Sequence, residues 1–137
     1  MRTALLMLVL LPIFSACNEK SKEKNETVRY EKSKETIEEV EKKHPLRFIQ
    51  VEAEDKKNLI GQRVVKGKII NRATLATYKD IVIRISFKAA TGTVLEADQE
   101  TINELVQPGD SVEFKSKFYP PKGTKQVSVS VISASVE

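Results

Sequence analysis

The sequence predicts an all-β fold, a single antiparallel β-sandwich of about seven strands preceded by a signal peptide and a charged, partly helical tether. Three observations carry this expectation. Four segments after Pro45 alternate apolar and polar residues with period two, the pattern of strands with one buried and one wet face. Turn signals containing Gly and Pro separate these segments at short intervals. Before Pro45 the composition is different, an apolar leader followed by a run of charge. About 90 residues follow Pro45, enough for one small core and too few for two.

The leader comes first. Arg2 supplies a positive charge, residues 4–14 are almost wholly apolar, and Ser15, Ala16 and Cys17 are small. A membrane-spanning helix needs roughly 20 apolar residues, and Asn18, Glu19 and Lys20 end this run too early. The stretch "FSAC" resembles the bacterial lipobox, with Phe14 where that pattern usually has Leu. The resemblance implies removal of residues 1–16 and acylation of Cys17. It also implies a chain held on a bilayer in the bacterial cell envelope, at the outer membrane if the cell is Gram-negative. Each buried methylene contributes ~0.8 kcal/mol, so two or three acyl chains make a firm anchor. Cys17 is the only cysteine, so no disulfide can form within the chain and the core alone must hold the fold.

Residues 17–45 read as the lipidated cysteine and its tether. From residue 18 to residue 43 there are eight Lys or Arg and eight Glu, and the sizeable apolar residues are Val28, Tyr30, Ile37 and Val40. Such a segment buries too little surface to offset the entropy of ordering it, and it reads as a solvated spacer. Its second half has helix signals. Ser33 or Thr36 can cap, Glu38 and Glu39 precede Lys42 and Lys43 by four, and Pro45 stops the run.

Residues 46–137 form the predicted domain. "LRFIQVEA" is the first strand. "VVKGKIIN" is the second, with Val65, Gly67, Ile69 and Asn71 inward and Lys66 and Lys68 outward. In "IVIRISF", Ile81, Ile83, Ile85 and Phe87 share the core face. A strand follows around "TVLEA", and "TINEL" is either a short strand or one helical turn. "VEFKSKF" sets Val112, Phe114, Ser116 and Phe118 against Glu113, Lys115 and Lys117. In "QVSVSVISASV" the apolar parity changes after Val131, which predicts a bulge there. "QPGD" has the residue order of a type II turn, with Gly109 in the position that needs positive φ. The segment from "VVKGKIIN" through "YKDIVIRISF" and "PGDSVEF" resembles the FxLYD-type domain, an immunoglobulin- or fibronectin III-like β-sandwich of envelope proteins. The five residues matching the naming motif are Ile85, Ser86, Phe87, Lys88 and Ala89, without its Tyr and Asp. The resemblance implies a non-catalytic domain.

The residues themselves point the same way. The one histidine, His44, sits in the tether next to Pro45, and there is no HExxH, CxxC or Gly-rich phosphate loop. No cofactor, metal or enzymatic activity is expected. The acidic groups Glu52, Glu54 and Asp55, and Glu96, Asp98 and Glu100, lack calcium-loop spacing; the second set reads as an edge strand blunted by charge. In an immunoglobulin-like order the second and fifth strands pair. Lys66, Lys68, Lys115 and Lys117 then share an outer face, opposed only by Glu113, suited to lipid-head phosphates or an acidic glycan. A second candidate is the stiff loop of Tyr119, Pro120, Pro121 and Lys122. Nucleic acid is not expected, because no aromatic platform accompanies the lysines. The expected role is a binding or protein-interaction module, its partner another envelope protein or an acidic envelope polymer. The alternative is a structural or assembly accessory subunit of a larger complex, its tether helix docked on that complex.

Overall fold

A computed structural model describes residues 35–137; Cys17, the leader and the tether up to residue 34 lie outside the described residues. Six strands follow a short helix, α1 (Ile37–Lys43), and a 3-10 turn (Pro45–Arg47). They are β1 (Ile49–Lys57), β2 (Arg63–Asn71), β3 (Tyr78–Lys88), β4 (Val94–Ile102), β5 (Ser111–Phe118) and β6 (Gln126–Val136). They form two antiparallel sheets, β1-β2-β5 and β4-β3-β6, in an all-β sandwich. The seventh element is missing because "TINEL" makes no strand of its own. Thr101 and Ile102 finish β4, and Val106 forms a single bridge to Tyr78.

The core lies between the sheets. Ile81, Ile83, Ile85 and Phe87 of β3 are buried, as are Val65 and Ile69 of β2 and Val112 and Phe114 of β5. Gly67 stands directly opposite Phe114, and a Cβ at Gly67 would come within 2.5 Å of both the Phe114 ring and the Glu52 carbonyl oxygen. Glycine is required there by close approach. Phe87 and Phe118 pack edge to face across the sandwich, with ring centroids 5.6 Å apart.

The parity change in β6 is a bulge at Ile132, and it has a counterpart. Ile83 pairs with Val131 but Val82 with Ser133, so Ile132 is extra; Lys79 pairs with Ser135, so β3 carries its own extra residue near Asp80. Asp80 adopts φ of 48°, a left-handed conformation that Asp tolerates better than most residues. The two insertions cancel. Tyr78 and Ile81, three apart, are therefore both buried, while Ala134 and Val131, also three apart, both pack on the core.

Glu35–Glu137 is one compact unit, so the spacer expected up to Pro45 gives way to a docked helix. Thr36, one of the two expected caps, begins it and forms a capping box with Glu39. Lys42 pairs with Glu38 at 2.5 Å, whereas Lys43 pairs with Glu35 rather than Glu39. Docking runs through Glu41, which is 1% exposed. The backbone N–H groups of Thr74, Leu75 and Ala76 donate to its carboxylate at 2.6, 2.8 and 2.9 Å. The Tyr78 hydroxyl donates to its carbonyl oxygen at 2.8 Å. Beneath, buried Asn71 donates to the carbonyls of Ala76 (2.8 Å) and Val106 (2.9 Å) and accepts from the Ala73 N–H (2.8 Å). That one side chain ties together the β2–β3 and β4–β5 connections.

Candidate anion-binding face

β2 pairs with β5 as expected, with Lys66 opposite Lys115 and Lys68 opposite Glu113. β1 lies on the other side of β2, with Glu52 opposite Lys68, Glu54 opposite Lys66 and Lys56 opposite Val64. Alternation sends all of these outward. The outer face is thus three rungs: Glu52, Lys68 and Glu113; Glu54, Lys66 and Lys115; Lys56, Val64 and Lys117.

This corrects the expected charge pattern. Glu113 does not oppose the lysines alone, because β1 adds Glu52 and Glu54. Lys68 stands between two glutamates and belongs to a balanced rung. Positive charge collects instead toward the β1–β2 hairpin, where Lys56, Lys66, Lys115 and Lys117 line a shallow groove of about 340 Å³ together with Glu54, Asn58 and Val64. A neighbouring groove of about 650 Å³ crosses the sheet between the first and second rungs, over Ala53, Gly67 and Phe114. The grooves exist because the residues of the intervening rung point inward and leave a trough between rows of long side chains.

Among the described residues Lys66, Lys68, Lys115 and Lys117 make no ion pair within 4.0 Å, and the one pair on this face joins Lys56 to Glu54 at 3.9 Å with both side chains exposed. Arg63 differs: its guanidinium holds Asp55 at 2.6 Å in a half-buried pair beside the tip of the hairpin. Lys56 is not among the lysines that strand alternation alone points to. Its signal was its parity with Glu52 and Glu54, which becomes informative only once β1 is placed beside β2.

The loop candidate lies at the same end. Arg63 pairs with Phe118, so Tyr119 leaves the sheet where the hairpin begins. Tyr119 and Lys122 are exposed, while Pro120 and Pro121 are half-buried. The Thr124 hydroxyl donates to the Pro121 carbonyl at 2.8 Å, Gly123 has φ of 94°, and the Lys125 N–H donates to the Lys88 carbonyl at 2.8 Å. The loop is therefore a closed turn pinned to β3, with Tyr119 projecting from it.

The acidic residues take a different place. Glu96, Asp98 and Glu100 face Phe87, Ile85 and Ile83 in register, on the core-side row of the edge strand β4. Glu100 accepts a hydrogen bond from Ser116 of β5, bridging the sheets along one open side. Among the described residues no three His, Cys, Asp or Glu side chains are placed to hold a metal ion, and no helix is long and apolar enough to cross a membrane. Neither a protein-family model nor a curated protein matches the chain.

Proposed function

We propose that the chain is a membrane-anchored envelope lipoprotein, acylated at Cys17, whose β-sandwich is a non-catalytic binding module with the basic end of the β1-β2-β5 face as its surface for an anionic partner. The observation that carries the reading is Lys66 directly opposite Lys115, flanked by Lys56 and Lys117. Like charges facing each other across strands destabilise a sheet. Sequences tend to break such local rules where function requires it. The resemblance to FxLYD-type domains belongs to this proposal; Gly67 under the Phe114 ring and the buried, fully bonded Asn71 support it. In the alternative role of accessory subunit the tether helix would dock on a larger complex, yet here α1 is engaged by its own domain through Glu41.

The test uses the unit Glu35–Glu137, which contains the entire described core. Lys56, Lys66, Lys115 and Lys117 are changed together to Gln, and binding to dextran sulfate is titrated at low and high salt. Binding should fall with the substitutions, and should fall with salt, whose Debye length is ~10 Å at 0.1 M. Binding indifferent to both changes would overturn the reading. The anchor is tested separately: a fatty-acid probe should label the full chain and not Cys17→Ser.

A further inference from the structure

At the tip of the β1–β2 hairpin Leu59 is fully exposed and Ile60 is 70% exposed. This exposure is held in place by the loop. Asn58 Oδ1 accepts from the N–H groups of Ile60 (3.1 Å) and Gln62 (2.9 Å), and its Nδ2 donates to Gln62 Oε1 at 2.9 Å. The Asn58 N–H donates to the Gln62 carbonyl at 2.9 Å and the Gly61 N–H to the Asn58 carbonyl at 3.2 Å. Gly61 turns the chain with φ of 86°. The bonded turn leaves two aliphatic side chains with nothing to pack on, beyond the edge of the sandwich.

Immediately below the tip is the basic groove. Asn58, which organises the tip, also lines that groove with Lys56, Lys66, Lys115 and Lys117. Going down the hairpin, the outer surface is apolar at Leu59 and Ile60, cationic at Lys56 and Lys117, still cationic at Lys66 and Lys115, and balanced at Lys68 between Glu52 and Glu113. From Leu59 to Lys56 is three residues, ~10 Å at the rise of a strand. Amphipathic elements on membranes bury their apolar face by about 5–10 Å, with cations at the level of the phosphates. A soluble polyanion has chemistry for the lysines and none for Leu59 and Ile60.

We propose that the partner of this face is an anionic bilayer, with Leu59 and Ile60 entering the acyl boundary and the four lysines meeting lipid phosphates. This rests on the anion-binding reading of the face and commits it to a lipid surface. Tyr119, 74% exposed at the same end, is placed to lie at the headgroup level.

The experiment is co-sedimentation of Glu35–Glu137 with phosphatidylcholine vesicles, with and without phosphatidylglycerol, alongside the dextran sulfate titration. The chain has no tryptophan, so the indole of Leu59→Trp is a unique reporter. Phosphatidylglycerol vesicles should bind the domain, shift the Leu59→Trp emission to the blue and shield it from an aqueous quencher. Leu59→Ser with Ile60→Ser should cut vesicle affinity by about tenfold or more, through lost apolar burial, and leave dextran sulfate binding and thermal unfolding unchanged. Vesicle binding insensitive to the serine pair, or an unshifted indole, would overturn the bilayer proposal while lysine-dependent dextran sulfate binding kept the anion-face reading. Binding to neither vesicles nor dextran sulfate at low salt would overturn both.

Discussion

The two ends of the sandwich handle polar and apolar groups in opposite ways. At the helix end Glu41, Asn71 and Tyr78 are buried, yet each is bonded, and among the described residues no buried side-chain nitrogen or oxygen lacks a partner. At the hairpin end Leu59, Ile60 and Tyr119 stand in solvent, and Lys66 faces Lys115. A buried polar group left unsatisfied costs far more than an exposed apolar one, so bonding is complete where loss would unfold the domain. The hairpin end tolerates local misfits because water reaches them. Stability is thus concentrated at the helix end, and the surface proposed for binding lies at the other.

If that contrast is right, the largest effect comes from Asn71→Leu. It leaves the Ala73 N–H and the Ala76 carbonyl without their Asn71 partner, each worth ~1–3 kcal/mol when buried and unpaired, and takes one of two donors from the Val106 carbonyl, which keeps the Tyr78 N–H. A loss of about 3–5 kcal/mol is a large part of the ~5–15 kcal/mol of a small domain, and denaturant unfolding should show it.

Next comes Glu41→Gln, read as a pH profile. Burial alone pushes the Glu41 carboxyl up, but the hydrogen bonds from Thr74, Leu75 and Ala76 outweigh it and hold the group below its ordinary value of 4.5. A lowered folded pKa gives stability that is present above the unfolded value and lost as pH falls through the folded one. Thermal unfolding of the wild type should therefore weaken below pH ~4.5 more steeply than that of Glu41→Gln, which starts lower because its amide group faces N–H donors. Parallel curves would mean the helix is not held by charge.

A smaller change is expected from Tyr78→Phe, about 1 kcal/mol for a lost buried hydrogen bond. Burial, and then the charge of Glu41, push the Tyr78 hydroxyl up to about 12. Its contribution is complete below the unfolded value near 10 and disappears as pH rises through the folded value. Tyr78→Phe should remove that alkaline loss, measured by denaturant unfolding from neutral pH upward.

The smallest effect has the opposite sign. Lys115→Glu gives Lys66 an opposite charge across the strands and should stabilise the domain by ~0.2–1 kcal/mol, while weakening anion binding. A destabilised Lys115→Glu would remove the contrast between the ends, since the hairpin end would then be as well fitted as the other.

Local alternation determined much of this molecule. Inward and outward rows of β2, β3 and β5 follow from period two, because a strand must send successive side chains to opposite faces. The Ile132 bulge was legible as a change of parity; its counterpart at Asp80 was marked only by the spacing of Tyr78 and Ile81, which means little until β3 and β6 are aligned. Tertiary structure decided the rest. Glu41 is one more glutamate in a charge run until the β2–β3 connection, more than 30 residues on, brings three N–H groups to it. The expected lysine quartet had Lys68 in it, but placing β1 beside β2 set Glu52 against Lys68 and brought Lys56 to Lys117. The physical reason is one of range: side-chain direction along a strand is set by neighbouring residues, whereas charge balance and burial depend on which distant backbone lies alongside.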